Sequence, residues 1–266
     1  MRIKIVWSFI AVFFLASLHA VAVIKFDLAA GAVVTELQRR KPLLATAANQ
    51  YLQAKHNEAA EAQTPKKKAW GHAPNYLQAS NQAPHVTVIQ FKNDVVLNED
   101  NKKKINDILK EVLVAHQDAL ECETSNLKVL GQANRFITYE VLSASLTALE
   151  QKLREKLALS GFGVEEFKGF FEPHISVVRI TQDNFEKTLG TWNTTTVGEV
   201  INQYVTSKNG SGDPLLLPLN FTLDKVVFAD GGVVLAQHSI ALLKLSKGLE
   251  ALKTKLAELA TQLSTL

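Results

Sequence analysis

The chain carries one cysteine, Cys122, among its 266 residues. An intramolecular disulfide framework and a multi-cysteine zinc site are therefore excluded, and Cys122 is expected to be a structural thiol. An excess of one charge is lacking too, since 29 basic and 26 acidic residues leave a net charge of +3. That balance excludes a protein that coats a nucleic-acid backbone by bulk charge, but it leaves a small or terminal phosphate substrate open. No glycine-rich loop follows a strand-like run, so nucleotide binding through a phosphate loop is unsupported. A comfortable membrane span is missing as well: Ile5–Leu18 is a 14-residue apolar run, where about 20 residues are needed.

That run begins after Arg2 and Lys4 and leads to Ala20-Val21-Ala22, with small residues at the two positions a signal peptidase reads. Residues 1–22 are predicted to be a signal peptide, with an uncleaved anchor as the alternative. The mature chain is expected to be exported, periplasmic or secreted, with no stable membrane span after cleavage. Removing the segment leaves 244 residues, enough for one large domain with appendages.

Residues 23–81 are rich in Ala, Gln and Lys and read as a helical arm and linker ending beyond the Lys66-Lys67-Lys68 run, itself read as a solvated stretch. From 82 to 237 the pattern is that of a mixed α+β domain. Val86–Phe91 reads as a strand. Asn98-Glu99-Asp100 caps a helix carrying Ile105, Ile108, Leu109, Val112 and Leu113. Leu127–Leu130 and Phe136–Val141 read as strands joined by Gly131–Asn134. A second helix, with Leu146, Leu149, Leu153 and Leu157 on one stripe, stops near Gly161. Phe171–Ile180 is a further strand, 181–218 a polar, turn-rich excursion, and Phe221–Phe228 a closing strand. Residues 238–266 form a C-terminal amphipathic helix. Leu242, Leu245, Leu249, Leu252, Leu256, Leu259, Leu263 and Leu266 alternate spacings of three and four, an unbroken heptad seam. Such a stripe must be buried, either by folding back or by pairing with another copy through residues 242–266 as a homo-oligomer.

Two short stretches, 89 residues apart, say nearly the same thing: Pro84-His85-Val86-Thr87-Val88 and Pro173-His174-Ile175-Ser176-Val177. Side chains alternate faces along a strand, so His85 shares a face with Thr87 and His174 with Ser176. Proline in front fixes an extended entry and lacks a ladder donor, placing both histidines at strand starts or edges. If the strands lie side by side, two imidazoles and two hydroxyls converge, a set suited to proton transfer at a phosphate.

These motifs resemble those of the two-histidine (2H) phosphoesterase superfamily, which includes the RNA 2′,3′-cyclic phosphodiesterases formerly called 2′-5′ RNA ligases. Phe171 and Arg179 fit the second family motif, and His85, Thr87 and a late Phe91 fit the first. The resemblance covers roughly residues 82–237. It implies two pseudo-symmetric lobes with antiparallel sheets around a central cleft. It also implies His85 and His174 as a general acid and base pair, and Thr87 and Ser176 as hydrogen-bond donors to the substrate phosphate. No metal or cofactor is required. Which histidine is acid and which base stays open. The implied activity is opening of a 2′,3′-cyclic phosphate on a nucleotide or RNA end. The alternatives are a non-catalytic nucleotide or RNA-end binding module of the same fold, or an exported interaction protein acting through its heptad tail. Arg179 lies an odd number of positions beyond His174, so it is expected on the opposite strand face, in a salt bridge. Trp70, Tyr76, Phe136 and Trp192 are expected to pack rather than to stack a base.

Overall fold

The computed structural model describes residues 22–62, 76–116, 119–130, 136–165, 171–180 and 194–264. The segment to residue 21 predicted as a signal peptide, the lysine run, residues 131–134 expected as a turn, residues 181–193, Trp70, Trp192 and Leu266 lie outside the described residues. In chain order the elements are β1 (Val23–Asp27), α1 (Ala32–Glu61), β2 (Leu77–Ala79), β3 (His85–Gln90), α2 (Glu99–Ala115), β4 (Glu121–Leu130), β5 (Phe136–Leu142) and α3 (Ala144–Leu159). There follow β6 (His174–Ile180), α4 (Thr194–Lys208), a 3-10 turn (Pro214–Leu216), β7 (Asn220–Thr222), β8 (Lys225–Asp230), β9 (Val233–Ser239) and α5 (Ile240–Ser264).

The strands form two antiparallel sheets. One has the order β3-β1-β8-β9 and the other β2-β6-β5-β4-β7. α2 and α3 pack on each other and against β9 and β3, whereas α1 and α4 cover the second sheet at β2, β6 and β4. This is the expected α+β architecture of two sheet-bearing lobes with a C-terminal helix. The local signals behind it are ordinary. The Asn98 side chain caps α2 by accepting from the Asn101 amide at 2.8 Å. Gly161, with φ of 84°, ends α3 in a conformation that a side chain would disfavour.

The division into arm and domain needs correction. Val23–Asp27 is no linker: β1 is the strand between β3 and β8. Ile24 and Phe26 are fully buried, with Val23, Lys25 and Asp27 on the other face. The alternation was present in the sequence, but the strand sits directly behind the apolar leader and reads as its flank. α1 is equally integral, running through Pro42 along the second sheet. Its buried Asn49 accepts from the amides of Tyr76 and Leu77 and donates to the Leu77 carbonyl at 2.8 Å. Lys41 donates to the carbonyls of Ser80 and Gln82 at 3.1 and 2.7 Å, and its burial pushes the ammonium pKa down. Arg40 donates to the carbonyls of Leu215 and Leu217 at 2.9 and 2.8 Å. Buried polar groups persist where each finds a partner, and here those partners are the segments α1 has to hold.

Three further expectations change. The described part of the 181–218 excursion contains α4, which buries Val197, Val200, Ile201, Tyr204 and Val205. Those positions follow helical spacing, masked in the sequence by threonine and β-branched residues. The closing strand is two strands, β7 in one sheet and β8 in the other, because the chain crosses between sheets at Leu223-Asp224. The domain also continues past residue 237 through β9, paired with β8 across Gly231-Gly232. Both glycines have positive φ, 59° and 84°, as a two-residue hairpin requires.

Candidate active site

The two pentads start the strands that face each other across the lobes. β3 is the edge of its sheet. β6 is covered by short β2 only at Val178–Ile180, so its histidine end is uncovered on that side. β3 packs beside β6, and His174 is close enough to His85 for its charge to act there.

Each histidine is held in the same way. His85 Nδ1 lies 2.9 Å from the Ala83 carbonyl, and His174 Nδ1 lies 2.9 Å from the Glu172 carbonyl. A carbonyl can only accept, so Nδ1 carries the proton and Nε2 keeps the free lone pair in the neutral ring. Both contacts reach two residues back, across the proline. The Pro84 carbonyl accepts from the Leu28 amide at 3.1 Å, and the Pro173 carbonyl from the Val141 amide at 2.8 Å. The repeat in sequence is thus a repeat in hydrogen bonding.

The neighbouring strands extend the symmetry. His85 pairs across the sheet with Asp27, and His174 with Glu140. Each carboxylate is neutralised by lysine. Lys25 Nζ stands 3.1 Å from Asp27 and Lys225 3.8 Å, while Lys128 Nζ stands 2.7 Å from Glu140 and 3.7 Å from Glu172. Glu140, as the nearer partner, holds the Lys128 ammonium above the usual lysine range. Thr87 pairs with Lys25, and Ser176 with Thr138. Sequence reading missed Asp27, Lys25, Lys225, Glu140 and Lys128, because the strand register that aligns them with the histidines is a tertiary fact.

Both motif strands also carry a bulge at the same place. Register shifts between β1 and β3 leave Val88 as the extra residue, and between β5 and β6 they leave Val177. Each stands three positions after its histidine, and each is followed by a second consecutive buried residue, Ile89 or Val178. The bulge corrects the expectation for Arg179. It pairs with Phe136, which alternation along β5 places on the face of Thr138 and Glu140. Arg179 therefore shares the face of His174. It is exposed, with no salt bridge among the described residues. Tyr76 is buried in the core as expected, whereas Phe136 is half-buried and on the cleft side.

Burial is the largest influence on His85 and pushes its pKa below the usual histidine value. The Ala83 carbonyl opposes this, Lys25 adds to it, Asp27 opposes it, and His174 adds again. Beside His174, a groove of about 500 Å³ runs from Glu140, Glu172 and Pro173 past Phe171 to Ser143 and Thr147 at the start of α3.

No protein-family model and no curated protein matches the chain. Solved structures do. Kluyveromyces marxianus Usb1 with uridine monophosphate aligns over 83% of this chain and 98% of its own, at 12% identity and a TM-score of 0.51. The fold is that of the two-histidine phosphoesterases. E. coli LigT complexed with 3′-AMP aligns over 83% and 97% at 13% identity and a TM-score of 0.41. The MHV ns2 PDE domain aligns over 60% and 84% at 16% identity and 0.36. Within this two-histidine fold the expected lobes are both present, each contributing one pentad strand, and the first lobe begins at β1 rather than at residue 82.

Proposed function

We propose that this chain is a metal-independent phosphodiesterase that opens a 2′,3′-cyclic phosphate on a nucleotide or RNA end. The observation that carries the reading is the duplicated histidine cradle: two imidazoles, both with Nδ1 on a carbonyl and Nε2 without a partner among the described residues, on adjoining strands of facing lobes. His85, held neutral by burial and by Lys25, is the general base that takes a proton from water through Nε2. His174 is the general acid that protonates the departing ribose oxygen. Thr87 and Ser176 donate to the non-bridging oxygens as their charge grows. Arg179, on the same face as His174 and exposed, supplies a further cation toward the substrate. The nucleotide in the Usb1 structure supports a nucleoside monophosphate unit as the core of the substrate.

No described helix is long and apolar enough to cross a membrane. Export is part of the proposal. It rests on the basic start, apolar run and small-residue site of residues 1–22.

The test is hydrolysis of the four nucleoside 2′,3′-cyclic monophosphates with a chelator present. Turnover unaffected by the chelator is expected. Thr87→Val and Ser176→Ala should each lower kcat by about 100-fold, the usual cost of losing one donor to a developing oxyanion. Tight nucleotide binding with no hydrolysis of any of the four would instead make the protein a binding module of the same fold.

A further inference from the structure

The geometry points to a parallel coiled coil between α5 of one copy and α5 of a second copy of this chain. Leu242, Leu245, Leu249, Leu252, Leu256, Leu259 and Leu263 are each 50–73% exposed along one line of the helix. Monomeric proteins rarely leave a contiguous apolar patch larger than a few hundred Å² uncovered. Past Ile240, the residues of α5 with partial cover are Leu243 and Lys244. They fall on the face opposite the seam, at the b and c positions when Leu242 is a and Leu245 is d. The contact of α5 with α2 therefore holds the helix by its back and turns the leucines outward.

The size and the charge pattern both fit a second copy. Seven leucines at this exposure offer roughly 700–800 Å² per chain, close to the ~800 Å² each partner gives to a stable interface. Past Leu243 the large apolar residues of α5 keep to the a and d positions, the narrow stripe of a coiled-coil seam rather than the wider face a helix lays against a broad surface such as a membrane. The positions flanking the seam are Ser246, Lys253 and Ala260 on one side and Gly248, Lys255 and Gln262 on the other. In a parallel pair, Gly248 meets Lys253 of the other copy and Lys255 meets Ala260, so no like charges oppose. In an antiparallel pair with the leucine layers matched, Lys253 faces Lys253 and Lys255 faces Lys255. Sliding by one heptad removes both repulsions but leaves two leucine layers uncovered. Flanking charges set orientation in coiled coils, and here they select the parallel one. Both clefts then lie at the same end of the pair. This inference stands independently of the proposed reaction.

The experiment measures the mass of the full mature chain in solution by sedimentation equilibrium, with Leu252→Lys/Leu256→Lys beside it. Twice the chain mass is expected for the parent and the single-chain mass for the variant. The variant should still unfold cooperatively with its β-sheet signal intact, losing only helical ellipticity from α5 and the concentration-dependent part of its midpoint that pairing supplies. Orientation is read from Leu249→Cys under mild oxidation. A parallel pair brings the two introduced thiols together and cross-links, whereas an antiparallel pair sets residue 249 against 259. A monomeric parent would overturn the proposal, as would a parent that binds anionic vesicles as a monomer. So would Leu249→Cys failing to cross-link alone while a mixture of Leu249→Cys and Leu259→Cys succeeds.

Discussion

Arg40 offers the sharpest test of whether α1 belongs to the body of the domain. It is only 3% exposed, and Nη1 donates to the carbonyls of Leu215 and Leu217 at 2.9 and 2.8 Å. Its Nε donates to Glu36 at 2.7 Å, and the guanidinium lies 5.9 Å from the centre of the Tyr139 ring. In Arg40→Met the stem still packs, but the charge and all three bonds are lost. The Leu215 carbonyl keeps the Tyr139 hydroxyl as a donor, while the Leu217 carbonyl loses its Arg40 donor. Hydrogen bonds to a charged group contribute ~1.5–3 kcal/mol each, and the partial rescue at Leu215 brings the sum to about 3–4 kcal/mol. For a chain of this size the urea slope is roughly 2–3 kcal/mol per molar, so the midpoint should fall by about 1–2 M with the slope unchanged. Glu36→Gln serves as the control and should move the midpoint little. Arg39 and Arg40 hold the Glu36 carboxyl down to about 2, but Arg39 is open to solvent screening, and a glutamine oxygen at position 36 can still accept from Arg40. If Arg40→Met shifted the midpoint no more than an ordinary surface change, within about 0.5 kcal/mol, then α1 would be an appended arm after all.

Two further outcomes follow from the charges. Lys25→Met should move the titration of His85, followed by its ring-proton resonance, to higher pH, because a cation that opposes protonation is gone and Asp27 is freed to favour it. His174 continues to oppose protonation from the facing strand. The acidic limb of kcat/KM should move the same way, and an unmoved or lowered titration would contradict the placement of Lys25. Stability has its own pH dependence. Burial holds His56, His85 and His238 below the ordinary histidine value. The unfolded chain then takes up protons near pH 6.5 that the folded chain refuses, so these residues cost nothing above that pH and destabilise progressively as pH falls below it. The urea midpoint should drop between pH 7 and pH 5, and a midpoint that rose toward pH 5 would refute the assignment.

Much of the site was legible in the chain because its information is local. Histidine and hydroxyl two residues apart share a strand face whatever the tertiary fold, and a preceding proline fixes the entry. What could not be read was everything set by pairing between distant segments. Asp27 and Glu140 become neighbours of the histidines only through register, and a single extra residue at Val177 turns Arg179 from the far face to the near one. Other misses had local signals that were outweighed. Gly231-Gly232 between two β-branched runs is a strong hairpin mark, and Val197, Val200, Ile201, Tyr204 and Val205 keep helical spacing. The heptad seam shows the opposite relation. Its period was plain in sequence, and the fold adds only which side of it faces solvent.

The central claim is that one phosphate is worked on by two imidazoles, and kinetics of His85→Ala, His174→Ala and the double variant on a nucleoside 2′,3′-cyclic phosphate test it most directly. Each single change should lower kcat by at least ~100-fold, and the double variant should be little worse than the poorer single, because both groups serve one step. Either single variant turning over at the parent rate would contradict the account.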